Sequence, residues 1–94
     1  MLFGDAASDA QWAAFLRDTV TPRFPDGLTT WRAWGQWRDP ATGRIGAEPS
    51  RVLLIVAASS AATGQGLVAI AEAYKARFHE QSVGILIAPT CAAF

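Results

Sequence analysis

Apolar residues repeat with a helical period in two stretches of this chain and run as strand-like blocks in three others. Trp12, Phe15, Leu16 and Val20 stand at i, i+3, i+4 and i+8, one stripe of a 3.6-residue helix. Ser8 precedes that stripe with Gln11 three positions on, a spacing that lets each side chain bond the other's free backbone N–H as a capping box. Pro22 and Pro25 end the helix, because proline lacks the N–H and restricts the residue before it. Pro25-Asp26-Gly27 then reads as a turn. The second helix is expected from Ala61 to about His79 behind Ser59 and Ser60. Its stripe is Leu67, Ile70, Ala71, Tyr74 and Phe78. Gly64 and Gly66 weaken its first turns.

Residues 28–37 favour sheet through three tryptophans and two threonines. Alternation puts Trp31, Ala33, Gly35 and Trp37 on one face and Arg32, Trp34 and Gln36 on the other. The loop 39–43 is dense in turn formers, and 44–49 is ambiguous, at most a frayed strand start. Residues 51–57 (RVLLIVA) form a continuous run, the mark of a central strand buried on both faces. Residues 82–88 (SVGILIA) read as a last strand ended by Pro89, and Met1–Gly4 as the end of a first one. The order is β-α-β-β-α-β with a short first strand. It predicts a single α+β domain over residues 1–94, a ferredoxin-like sandwich with a four-stranded antiparallel sheet and two helices on one face. The opposite face then needs either water-tolerant residues or a cover, and the tryptophans cannot all point at the helices. That predicts a homodimer through the open sheet face. A globule of this length should have a radius of gyration of about 12 Å.

Composition sharpens this picture. Hydrophobic residues make up 51% and charged ones 17%, which excludes a disordered chain and leaves more apolar surface than a small monomer hides easily. Eight basic residues balance eight acidic ones, so the whole-protein attraction that draws nucleic-acid binders to phosphates is absent and no nucleic-acid partner is expected. One cysteine and one histidine provide no disulfide and no metal-ligand cluster. No cofactor motif is present: Gly64-Gln65-Gly66 lacks the third glycine of a phosphate loop. No run reaches the length of a membrane span. The N-terminal residues show no signal peptide, so the compartment stays open.

Several strings resemble a known family. Residues 20–29 (VTPRFPDGLT), 35–39 (GQWRD), 48–56 (EPSRVLLIV), 73–78 (AYKARF) and 81–83 (QSV) are similar to the bacterial family called domain of unknown function 3574. Leu2-Phe3-Gly4 resembles the end of that family's first strand. The resemblance covers nearly the whole chain. It implies no activity, cofactor or catalytic residue, though it suggests a domain often exported behind a leader.

Candidate chemistry is sparse. Trp34, Trp37 and the interleaved arginines could stack bases or sugars, or else fill the core and a dimer contact. His79 sits where a helix C-terminus favours a cation; as a general base it would need a partner of its own. Cys91 reads as a small, buried, inert thiol. Glu48 with Arg23, Arg51 and Tyr74 is the set of greatest interest. Either Arg23 and Glu48 pair and pin the hairpin to the first helix's exit, or they form the polar end of an apolar pocket. In that pocket Arg23 would hold a ligand carboxylate and the Tyr74 hydroxyl would reach it. Two functions follow: a dimeric module binding a small apolar or anionic ligand or a protein, and, alternatively, a cofactor-independent enzyme with a sheet–helix cleft.

Overall fold

The computed structural model describes all 94 residues. Strand β1 is Leu2–Gly4, helix α1 is Asp9–Phe15, and a π-helical turn, Leu16–Val20, continues it. Strands β2 (Thr29–Arg38) and β3 (Ile45–Leu54) form a hairpin, and helix α2 is Ala61–Phe78. The sheet has three antiparallel strands in the order β1-β3-β2. The fold is therefore α+β with two helices.

Helix α1 begins as its sequence dictates. Ser8 Oγ accepts from Gln11 N and Gln11 Oε1 accepts from Ser8 N, the reciprocal capping box. Its end differs from the expected single helix. The π turn, with Thr21 N donating to Leu16 O at 2.8 Å, spaces Val20 five residues after Phe15. Both side chains are then fully buried on one face, which a continued 3.6-residue spiral would not achieve. Helix α2 takes Ser60 as its N-cap and His79 as its C-cap. Its two glycines do not delay its start. Gly66 leaves room for the Phe24 ring, which would lie 3.1 Å from a Cβ there.

Both helices pack on one face of the sheet. The core is Phe3, Ala7, Trp12, Phe15, Val20, Leu53, Ile70 and Tyr74. Phe3 sits edge-on to Trp12 and to Tyr74, with ring centroids 4.9 and 4.7 Å away, the geometry that aromatic quadrupoles favour.

Two strands depart from their expected limits. Strand β3 starts at Ile45, so the ambiguous 44–49 stretch is strand, and it stops at Leu54 where its register with Thr29 ends. Pro49 is tolerated because β1 reaches only Ser50; one residue further β3 has a free edge and needs no donor. The expected fourth strand, 82–88, is represented by one bridge, Leu2 to Gly84. Leu2 and Gly84 exchange both backbone bonds, at 2.8 and 2.9 Å.

The β2–β3 hairpin projects past β1 and the helices as a two-stranded arm. It explains a radius of gyration of 14.0 Å and extents of 43 × 28 × 22 Å, larger than a compact sphere of this length. The accessible surface is 6452 Å², against about 5,200 Å² for a compact monomer of this mass.

Candidate functional site

The open sheet face is built from alternate residues of all three strands. The ladder sets them in rows: Leu2, Val52 and Trp31; then Gly4, Ser50 and Ala33; then Glu48 and Gly35; then Gly46 and Trp37. Trp31 and Trp37 are each about half exposed. They stand six residues apart on β2, about 20 Å at strand rise. Between them the rows carry Gly4, Ser50, Ala33 and Gly35, with Glu48 among them. The Trp37 ring lies flat on Gly46, 2.8 Å from where a Cβ would be, so glycine is required there. The face is a saddle between two tryptophan walls, with small residues and the Glu48 side chain on its floor.

Trp34 has the opposite parity and points to the helix side of the sheet. It pairs with Pro49 on the arm, beyond the helices, and is 70% exposed. None of the three strand tryptophans is a core residue; that place belongs to Trp12, whose ring is buried against Phe3 and Phe15.

Glu48 and Glu80 converge on Gly4. A Cβ at Gly4 would lie 2.7 Å from Glu80 Oε1 and 3.2 Å from Glu48 Oε1. Glycine leaves the space that both carboxylates use. Partial burial raises the Glu80 pKa above its ordinary value, and the nearby Glu48 charge raises it further. Glu80 carried no sequence signal: it lies just past the helix, and only the return of the chain to β1 brings it here. Beneath them, the Tyr74 hydroxyl donates to Gly4 O at 2.6 Å. Tyr74 is fully buried, and its pKa is raised by that burial first and by Glu80 second. Its hydroxyl ties α2 to β1 and opens on no pocket.

Arg51 lies on the helix side, opposite Arg32 in the ladder. Its side chain is 6% exposed and packs its guanidinium 5.5 Å from the Trp12 ring centre. One terminal nitrogen donates to Ala7 O at 3.1 Å and to Asp9 Oδ1 at 2.9 Å, while Nε has no partner. Arg32 reaches the same carboxylate at 3.3 Å. The Arg51 hydrogen bond, then the Arg32 charge, hold the Asp9 pKa below the usual carboxylate value.

Arg23 lies elsewhere. Its guanidinium donates to Thr19 O at 2.8 Å, closing the end of the π turn, and makes no ion pair with Glu48. With Phe24, Ala57, Ala62, Thr63 and Gly66 it lines a groove of about 460 Å³ at the start of α2. Glu48 sits at the other end of α2, about 20 Å away at 1.5 Å per residue. The fold thus separates Arg23 from Glu48 and Tyr74, and brings Glu80 to Glu48 instead. His79 is exposed in the left-handed region (φ 57°, ψ 35°), ending α2 as its C-cap. Cys91 is exposed, contrary to the buried thiol expected, in a tail that forms no helix or strand.

No cluster of three or more metal-binding side chains exists, and no helix is long and apolar enough to cross a membrane. No curated protein and no solved structure matches the chain. The family model described as protein of unknown function (DUF3574) matches residues 3–94, essentially the whole chain, and the chain belongs to that family.

Proposed function

We propose that this protein is a homodimeric interaction module whose subunits stack through the open sheet face. The observation that carries this reading is the saddle: Trp31 and Trp37 stand half exposed on either side of Ala33, Gly35 and Ser50. A second copy related by a two-fold axis would set its tryptophan walls against the first copy's small residues, the self-complementarity an isologous interface needs. The surface in excess of a compact monomer, about 1,200 Å², is more than the roughly 800 Å² that each partner gives up in a specific interface. The chain order, with the Leu2–Gly84 bridge on the far side of β1, further supports reading the fold as a ferredoxin-like sandwich with a rudimentary fourth strand.

Sedimentation equilibrium tests the dimer. Wild-type protein should sediment as a dimer and the Trp31→Ser/Trp37→Ser double variant as a folded monomer, while Trp34→Ser stays dimeric. A wild-type monomer at every accessible concentration would overturn the reading.

A second reading, a small anionic ligand, is favoured by the Arg23 groove. Phe24, Ala57 and Ala62 supply apolar walls there, and Arg23 has donors left after its bond to Thr19. The enzyme alternative draws least support, since Tyr74 is sealed and Arg23, Glu48 and His79 do not meet.

A further inference from the structure

We infer that pairing through the open face is linked to protons: Glu48 and Glu80 form a carboxylate switch that holds two subunits apart when both are charged and lets them close when the pair takes up a proton. The inference rests on the dimer reading and adds the condition under which the subunits pair. Its first support is placement. Gly4 alternates with Phe3, which is buried in the core, so a Cβ at Gly4 would project onto the open face. Glu80 Oε1 lies 2.7 Å and Glu48 Oε1 3.2 Å from that point. The two oxygens are therefore at most about 6 Å apart, close enough for each charge to disfavour the other. Glu48 stands in one of the two middle rows between Trp31 and Trp37. A two-fold axis through the middle of the saddle brings the pairs of both copies toward each other.

The second support is that the strands put no cation on this face. By alternation Arg32, Arg38 and Arg51, their only basic residues, all lie on the helix side. Arg32 and Arg51 are engaged there by Asp9, and Asp5 also turns to Arg32. The nearest basic residue with the parity of the open face is Arg44, in the turn of the arm, four residues from Glu48 and about 13 Å away at strand rise. Neither Glu48 nor Glu80 has an ion-pair partner. Around the pair, β1 supplies the Gly4 backbone and β2 the uncharged Ala33 and Gly35. Helix α2 supplies Tyr74, whose hydroxyl is bound to Gly4 O, and Arg77, whose guanidinium lies on the Phe78 ring. It ends in the exposed His79. The residues that follow Glu80, Gln81 and Ser82, are neutral.

Closing the face adds a desolvation cost to this repulsion. Partial burial already raises the Glu80 pKa, and Glu48 raises it further. A second subunit laid over the saddle removes water from the pair. It brings no counter-charge, because an isologous contact meets the same surface on both sides. The doubly charged pair is then disfavoured by like charge and by desolvation together, so the dimer keeps protons that the monomer releases. The state that binds more protons gains as pH falls. Pairing is therefore strongest below the carboxyl values of the monomer and weakens as pH rises through the higher values of the dimer.

Sedimentation equilibrium at about pH 7.5, 6.5 and 5.5, at one ionic strength so that screening stays fixed, tests the switch. The dimer dissociation constant of the wild type should fall at least about tenfold from the highest pH to the lowest. Glu80→Gln and Glu48→Gln each leave a single carboxylate and keep the shape of the pair. At about pH 7.5 both should pair at least about tenfold more tightly than the wild type and lose most of the pH dependence. His79→Asn, which suits the left-handed C-cap, should keep that dependence in full. A wild-type dimer whose dissociation constant does not move with pH would overturn the switch and leave the dimer reading standing. So would a pH dependence that survives in both glutamine variants, or one that vanishes in His79→Asn, because another group would then carry the proton. Monomers at every pH in the wild type and in both glutamine variants would instead overturn the dimer reading, and the switch with it.

Discussion

Glycine at position 4 allows two carboxylates to share one place, and that sharing has a measurable price. The Glu80 pKa is raised by burial and by Glu48. A carboxyl raised in the folded state stabilises most below its unfolded value of about 4.5. That contribution is lost as pH rises through the folded value, because the native state then gives up a proton it held in preference. The groups facing it are Glu48 on β3, the Gly4 backbone and, through that backbone, Tyr74; no cation pairs with it. Glu80→Gln should therefore raise the melting temperature at neutral pH and flatten its dependence between about pH 4.5 and 7. A thermal melt series across that range checks both, and a steeper dependence in the variant would reverse the assignment. None of this is legible in the sequence, where Glu80 and Gly4 stand at opposite ends of the chain.

Elements are joined here by single polar ties as well as by packing. Arg51 reaches from β3 to the N-terminal end of α1, and Asp9 answers it with an exposed carboxylate. The two partners are unequal: Arg51 is buried and already has an orphaned Nε, while Asp9 stays in water. Asp9→Asn leaves a buried guanidinium without its counter-ion. Arg51→Met leaves only a solvated carboxylate and keeps the aliphatic contact with Trp12. Asp9→Asn should therefore lower the melting temperature more than Arg51→Met, the reverse of what burial alone suggests. Melting the two variants side by side decides it, and a larger loss in Arg51→Met would mean that the guanidinium's contact with Trp12 outweighs its counter-ion. The element boundaries of α1 and α2 follow from Ser8, Gln11 and Ser60, all local signals. The π turn does not, because only the need to seat both Phe15 and Val20 against one core calls for it.

At the scale of the whole molecule, the notable feature is apolar surface left outside a small core. Ten of 94 residues are buried in a chain that is 51% hydrophobic, so most of the apolar side chains must find their cover elsewhere. The open face carries part of that surface, with Trp31 and Trp37 each about half exposed. A dimer built on Trp31 and Trp37, with Glu48 and Glu80 of both copies on the shared face, should tighten as salt rises between about 0.05 and 0.5 M, where like-charge repulsion is progressively screened. Sedimentation across that range checks it; a dimer that falls apart in high salt would place the interface on the arm's unpaired Arg38 and Arg44 instead.

By itself the sequence determined the α+β class, both helices with their caps, the two faces of β2 and the family. Each of these depends on the spacing of neighbouring residues and the local chemistry of a turn of backbone, which a linear string carries in full. The tertiary structure alone decided the pairings between distant residues: Glu80 with Glu48 rather than Arg23, Tyr74 with the Gly4 carbonyl, Arg51 with Asp9, and a last strand held by one bridge. Strand propensity sets which residues will extend, and it is silent on whether a partner strand stands beside them. Residues 55–57 and 85–88 have the first without the second.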